Sequence, residues 1–232
     1  MKYNWTLNEV ASAGRENLDA AHASQYDEKE NANAYAELEL LKTLGLSETS
    51  EVVDLGAGTG QFTLVAAPAC ARVVAVDVSP VMLAVLKNKV HMAQLENVEI
   101  VQSSFLTYEH QGNPADFLYS RFALHHLPDF WKVVALGHLR RITRVGGVLR
   151  LWDVVYSFSP QDAQSSLEAW CATLADDTDG GWRRADIEEH IRDEHSTFAW
   201  LLESMMERSG FHIEQADYTS DGIFARYVAR AV

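Results

Sequence analysis

Three glycines, Gly56, Gly58 and Gly60, alternate directly behind the β-forming run Glu51 to Leu55. Bare backbone at that point lets the chain turn sharply and lets a ligand touch main-chain atoms, and the helix start that follows offers free N–H groups to a polar ligand. Asp54 stands two positions before the first glycine, and Asp77 closes the next apolar run, Val73 to Val76. A carboxylate at the tip of a second strand can accept both hydroxyls of a ribose. The dinucleotide fingerprint reads GxGxxG; here the third glycine comes one residue early, which with Asp54 counts against a nicotinamide dinucleotide, while the role of Asp77 serves either that ligand or another adenosyl ligand.

Further groups could act on whatever binds there. Asp153 ends the apolar part of the fifth strand, at the carboxyl edge where open α/β sheets take their ligands, and its other reading is a local cap or pair. His195, in "DEHSTFAW", has two readings: a side chain reaching over a substrate, or a solvated helix cap. Arg121, at the end of strand four, is suited to a two-pronged grip on a carboxylate or to pairing with a nearby acid. His125 and His126 titrate near neutral pH as free imidazoles and so invite a catalytic-base reading. Trp170 and Trp182 could wall an apolar pocket or fill a core, while "ADIEEHIRDEH" reads as a solvated helix face.

The elements that must position these groups alternate. Glu51 to Leu55, Arg72 to Asp77, Asn97 to Gln102, Asp116 to Ser120 and Val148 to Val155 read as strands. Helices are expected at Gln61 to Ala69, from Ser79-Pro80 onward, and from Pro128 to Arg144, the last halted by Gly146-Gly147. That rhythm requires a parallel, doubly wound α/β sheet with right-handed crossovers. About 40 residues after Tyr156 break it, which implies a helical insertion over about 156–196. A helix from Ser196 or Thr197 carries Phe198, Leu201, Leu202, Met205 and Met206 on one face. Phe211 to Tyr218 and Ile223 to Ala229 then form an antiparallel hairpin. Residues 1–50 read as an N-terminal helical cap, with a helix from about Asn33 to Leu44, and 51–232 as the core.

The 232 residues, 47% of them hydrophobic, support one sizeable core. The net charge of −14 repels phosphate backbones and anionic lipid, so neither nucleic acid nor a membrane surface is an expected partner. Cys70 and Cys171 form no CxxC pair, no window reaches the roughly 18 apolar residues of a membrane span, and a cytoplasmic setting with no bound metal is expected.

Asp54-Leu55-Gly56-Ala57-Gly58-Thr59-Gly60, Val76-Asp77-Val78-Ser79, "FLYSRFALHHLP" and "RVGGVLRL" together resemble the successive motifs of class I S-adenosylmethionine-dependent methyltransferases, over residues 50–155 most clearly. The resemblance implies a Rossmann-like seven-stranded sheet with an antiparallel last strand, S-adenosylmethionine as cofactor and S-adenosylhomocysteine as product. It sets Asp54 and the glycines against the methionine part, Asp77 on the ribose, and Val78 and Met82 near the adenine. Ser104 and Phe105 occupy the stretch after the third strand where the family usually has an aspartate. Tyr26 matches an aromatic folded over the cofactor, and the His-His-Leu-Pro stretch implies packing beside it. A small-molecule acceptor follows from the two capping segments, with a peptide terminus or a carboxylate as variants. An NAD-linked oxidoreductase and a catalytically silent cofactor-binding module are the rival readings.

Overall fold

The structure is a computed structural model that describes residues 5–11, 33–174 and 182–232. Seven strands lie side by side in the order β3-β2-β1-β4-β5-β8-β7: β1 (Glu51–Leu55), β2 (Arg72–Asp77), β3 (Val98–Gln102), β4 (Ala115–Arg121), β5 (Thr143–Tyr156), β7 (Phe211–Tyr218) and β8 (Phe224–Ala231). A two-residue stub, β6 (Thr197–Phe198), runs parallel to the end of β5. Pairings β1 to β5 are parallel, whereas β8 runs antiparallel to both β5 and β7, as the terminal hairpin leads one to expect.

Helices cover both faces because the central strands are apolar on both. On one side α4 (Asp129–Ile142) and α7 (Ala199–Arg208) bury Leu136, Leu139, Leu202 and Met206 against Val53, Val74 and Leu118. On the other, α1 (Ala34–Thr43), α2 (Gln61–Ala66) and α3 (Pro80–Met92) bring Leu38, Leu41, Phe62 and Leu86 to the alternate residues Val52, Val73, Ala75 and Phe117. Each such leucine removed from water contributes about 1.5–3 kcal/mol. α3 starts where Ser79 Oγ accepts from Met82 N at 3.1 Å with Pro80 in its first turn, the cap its sequence announces.

Several boundaries differ from those read in the sequence, two of them for reasons visible in the packing. The double glycine does not stop α4; the helix ends at Ile142, where Thr143 turns extended and its hydroxyl donates back to Leu139 O at 2.6 Å. Gly146 and Gly147 instead lie within β5, where the register to β4 jumps from Ala115↔Thr143 to Phe117↔Val148. A Cβ on Gly147 would stand 2.5 Å from Thr143 Cγ2, so the bulge needs glycine. α7 begins at Ala199 rather than Ser196, because Thr197 and Phe198 are drawn off as a strand beside Val155 and Tyr156. The insertion contains α5 (Ala163–Cys171) and α6 (Arg184–Asp193). Leu167 and Trp170 of α5 pack on Tyr156, Ile223 and Phe224, fastening the insertion to the sheet. No described helix is long and apolar enough to cross a membrane.

Candidate active site

The carboxyl ends of β1, β2 and β4 open onto a cleft lined by Leu55, Gly56, Gly58, Asp77, Phe122 and Ala123. Its floor is the glycine turn. Gly56 N and Ala57 N donate to Val76 O, at 2.9 and 3.1 Å, and fold the turn back over the tip of β2. All three glycines have left-handed backbones, with φ of +71°, +53° and +87°. A Cβ on Gly56 would meet Ala123 Cβ at 2.3 Å, so the turn after β4 closes on bare backbone.

Asp77 sits at the cleft with both oxygens oriented by main chain: Gly58 N donates to Oδ2 and Ser79 N to Oδ1, each at 2.8 Å. Burial raises its pKa, against the pull of those two donors. Each oxygen keeps a further lone pair for a hydroxyl. Leu55, Val76, Val78, Phe105 and Leu127 supply apolar wall, and Ser103 and Ser104 supply polar groups beyond it. A paired acceptor beside apolar walls fits a ribose joined to a purine, so the residues present suit an adenosyl cofactor.

Several of the anticipated residues hold this cleft without lining it. Asp54 is 2% exposed and lies under the turn, where Thr63 Oγ1 of α2 donates to it at 2.6 Å. Burial pushes its pKa up to about 7, the Thr63 bond pulling the other way and the Asp77 charge adding to the rise. Gly60 is there for packing: a Cβ would stand 2.1 Å from Leu86 Cδ1 of α3. Met82 is buried in the first turn of α3, behind the wall that Val78 forms. Arg121 lies between aromatic faces, its guanidinium 4.4 Å from the Phe122 ring and 4.7 Å from Trp152, rather than on the cleft. Tyr26 falls outside the described residues.

Two contributors to the cleft are illegible in their own segments. Glu9 is buried; its Oε2 accepts from Leu106 N at 3.2 Å and from Ser104 Oγ, bringing a carboxylate to Ser103-Ser104-Phe105, which has none of its own. Burial raises its pKa, with the Ser104 bond opposing. Phe122, the next residue after β4, has φ of +50°, an uncommon conformation for a bulky residue, and lines the cleft with Ala123.

His126 also borders the cleft, as a residue packed beside the cofactor would. Behind it His125 is 6% exposed and forms an ion pair with Asp153 through Nδ1, while Asp153 Oδ2 accepts from His125 N at 3.0 Å and Oδ1 from Val154 N at 2.8 Å. On its other side His125 Nε2 lies 3.0 Å from Glu194 Oε2. Burial disfavours a charged His125, but the carboxylates of Asp153 and Glu194 outweigh it and push its pKa up to about 10. His126 goes the other way: burial and the His125 charge pull it down to about 3. Burial works against charge on Asp153 and Glu194 as well, yet the adjoining imidazoles hold both below the usual carboxylate range.

Asp153 is thus sequestered beneath His125 and does not reach the cleft. His195 turns its ring to solvent, while its main chain braces the turn, N donating to His125 O at 2.9 Å and O accepting from Lys132 Nζ. The side chain turned inward is one residue earlier, Glu194. Glu194 and His190 belong to the stretch that reads as a solvated face, yet each keeps only about a sixth of its side chain exposed. Trp170 packs edge-on to His190, at 5.5 Å between ring centres, and Trp182 is 41% exposed.

This architecture has known counterparts. Residues 52–147 match a family model described as a methyltransferase domain. An uncharacterized methyltransferase of Anoxybacillus flavithermus is 28% identical over 174 residues, 75% of each chain. A demethylmenaquinone methyltransferase of Bacillus mycoides is 29% identical over 112 residues, so the match spans 47% of this chain and 46% of that relative. A crystal structure of a SAM-dependent methyltransferase from Aquifex aeolicus superposes with a TM-score of 0.63 at 20% identity, over 92% of this chain and 99% of that one. Sheet order, glycine turn and these matches define an enzyme that uses S-adenosylmethionine. Residues 52–147 are similar to the methyltransferase domain family, and the fold is that of solved S-adenosylmethionine-dependent methyltransferases, which counts against the nicotinamide reading.

Proposed function

We propose that the protein transfers the methyl group to a small-molecule acceptor that enters between the donor cleft and the insertion helices α5 and α6. The observation that carries this reading is the placement of His126 and Leu127: they border the donor cleft and belong to the same turn as His125, which the insertion overlies. Bound there, S-adenosylmethionine supplies an electrophilic methyl on a sulfonium. Asp77 would hold the ribose hydroxyls, Val78 and Phe105 the purine, and Gly56 and Gly58 the backbone contacts, with Ser104 and Glu9 at the purine end. The chain's own contribution is positional: rigid strand ends fix the donor, and a closed apolar surround keeps water from the reacting atoms. Asp153 acts through His125 as a positioning residue, and His195 as a backbone strut.

The demethylmenaquinone methyltransferases among the relatives supply an independent argument for a small acceptor. The net charge of −14 argues against nucleic acid, and two buried free thiols suit a reducing cytoplasm. The test is incubation with isotopically labelled S-adenosylmethionine and fractionated cell extract. Label in a low-mass product supports the reading. Label confined to protein or nucleic acid overturns the acceptor class, and donor binding without any transfer favours the silent module.

A further inference from the structure

The turn after β4 and the end of α6 carry a second constellation, behind the donor cleft. His125 Nε2 lies 3.0 Å from Glu194 Oε2, and His190 Nδ1 closes on the same oxygen. The three ligand-type atoms fall within 4.8 Å of one another, and among the described residues no other group of three His, Cys, Asp or Glu side chains converges in this way. Glu194 Oε2 is shielded from solvent yet makes no aligned hydrogen bond. His126 Nδ1, 3.8 Å from Glu194 Oε1, is shielded and unbonded too.

Both imidazoles have their far nitrogens engaged. Asp153 holds His125 Nδ1, and Ser196 Oγ lies 3.0 Å from His190 Nε2. Metal-binding histidines are held in this way, the outer hydrogen bond fixing the tautomer and turning the remaining nitrogen to the ion. We propose that His125, His190 and Glu194 form a binding site for a divalent first-row transition ion, with Asp153 and Ser196 orienting the two rings.

Two imidazoles and one carboxylate form a donor set that suits Zn²⁺ or Fe²⁺ rather than Mg²⁺ or Ca²⁺, which take oxygen ligands. Charge balances as well: a divalent cation that displaces the proton from His125 offsets the negative charges of Glu194 and Asp153 in a region shielded from water. Access is present, since the His190 and Glu194 side chains keep 14% and 16% of their surface exposed while His125 keeps 8%. Two of the ligands come from the insertion and one from the core, so the ion ties them together beside the acceptor side of the cleft. Binding of the ion does not depend on the acceptor proposed above.

The experiment uses untagged protein stripped with a chelator and titrated with Co²⁺ and Zn²⁺, followed by the visible cobalt spectrum and by competition with a chromophoric chelator. One equivalent should bind, with the intense ligand-field bands of a low-coordinate nitrogen and oxygen site. His190→Ala and Glu194→Gln should each abolish those bands, and Ser196→Ala should weaken affinity by about tenfold, the lower end of what loss of an orienting hydrogen bond costs. His212→Ala, on exposed β7, should leave binding unchanged. S-adenosylhomocysteine affinity reports that each variant is folded. Should His190→Ala or Glu194→Gln fail to fold, the wild-type stoichiometry and spectrum together with Ser196→Ala decide the matter. Absence of an equimolar cobalt complex in the wild type, or the same affinity in folded His190→Ala and Glu194→Gln, overturns the site and leaves the cluster as an ion-pair clasp.

Discussion

Arg150 and Glu37 meet in a two-pronged buried ion pair, Nε to Oε2 at 2.7 Å and Nη2 to Oε1 at 2.9 Å, which fastens α1 to the middle of β5. The pair is 3% and 8% exposed in its side chains, so neither charge has water to fall back on. Removing one partner from such a pair costs about 3–5 kcal/mol. Glu37→Ala is therefore expected to lower Tm by roughly 10 °C at about 2–4 °C per kcal/mol for a chain of this size. A calorimetric scan showing a drop of only a degree or two would mean that α1 is not held by this contact.

The ribose-binding role of Asp77 gives a second expectation. Asp77→Ala removes the acceptor for two hydroxyls, each hydrogen bond contributing about 1 kcal/mol or more, so S-adenosylhomocysteine should bind more than tenfold more weakly. Isothermal titration with wild-type affinity would remove Asp77 from the donor site.

Gly56 is expected to be intolerant for two reasons that a control can separate. Gly56→Ala meets Ala123 Cβ at 2.3 Å and strains φ at +71°, whereas Gly45→Ala strains φ at +103° with nothing within 4 Å. Gly45→Ala should cost about 1–2 kcal/mol from backbone strain alone. Gly56→Ala should cost more and also depress donor affinity. Equal losses in urea titrations of the two variants would show that the close approach of Ala123 is unimportant.

Asp54 predicts a pH dependence. Its folded pKa is raised from 3.8 to about 7, above the unfolded value, so the folded chain holds a proton that the unfolded chain releases. The stability this contributes is complete below about pH 4, declines as pH climbs, and is gone above about pH 7. Asp54→Asn keeps a neutral side chain throughout and removes that slope. Relative to wild type it should gain stability between pH 5 and 8, by about 2–3 kcal/mol on a shift of this size. Urea unfolding at both pH values would refute the assignment if the difference between the proteins stayed constant.

What could be read in advance was local. Gly56, Gly58, Gly60 and Asp77 lie within 22 residues and announce a turn between two buried strands, so the fold and the donor cleft follow from periodicity and glycine placement. Contacts across the chain could not be read. Glu9 reaches Ser104 from 95 residues away, and nothing around it marks it as a cleft residue. Glu194 sits in a charged run whose composition says only that it is polar, and its burial comes from α6 docking over His125, which the sequence pattern of neither segment contains. His195 drew attention for its imidazole, but its neighbour is the one turned inward.

The arrangement of the last two strands bears on how the molecule assembles. β8 bonds to β5 on one side and β7 on the other, and among the described residues β7 has no other partner in the sheet. β7, although earlier along the chain, must wait for β8 before it has a place to lie. Formation of that half of the sheet thus depends on a pairing some 80 residues apart, Val148 with Arg230, and a long-range closure of this kind is slow. Until it occurs the β5 edge is open to strands of other molecules, so a nascent or refolding chain is at its most aggregation-prone just before its final hairpin docks.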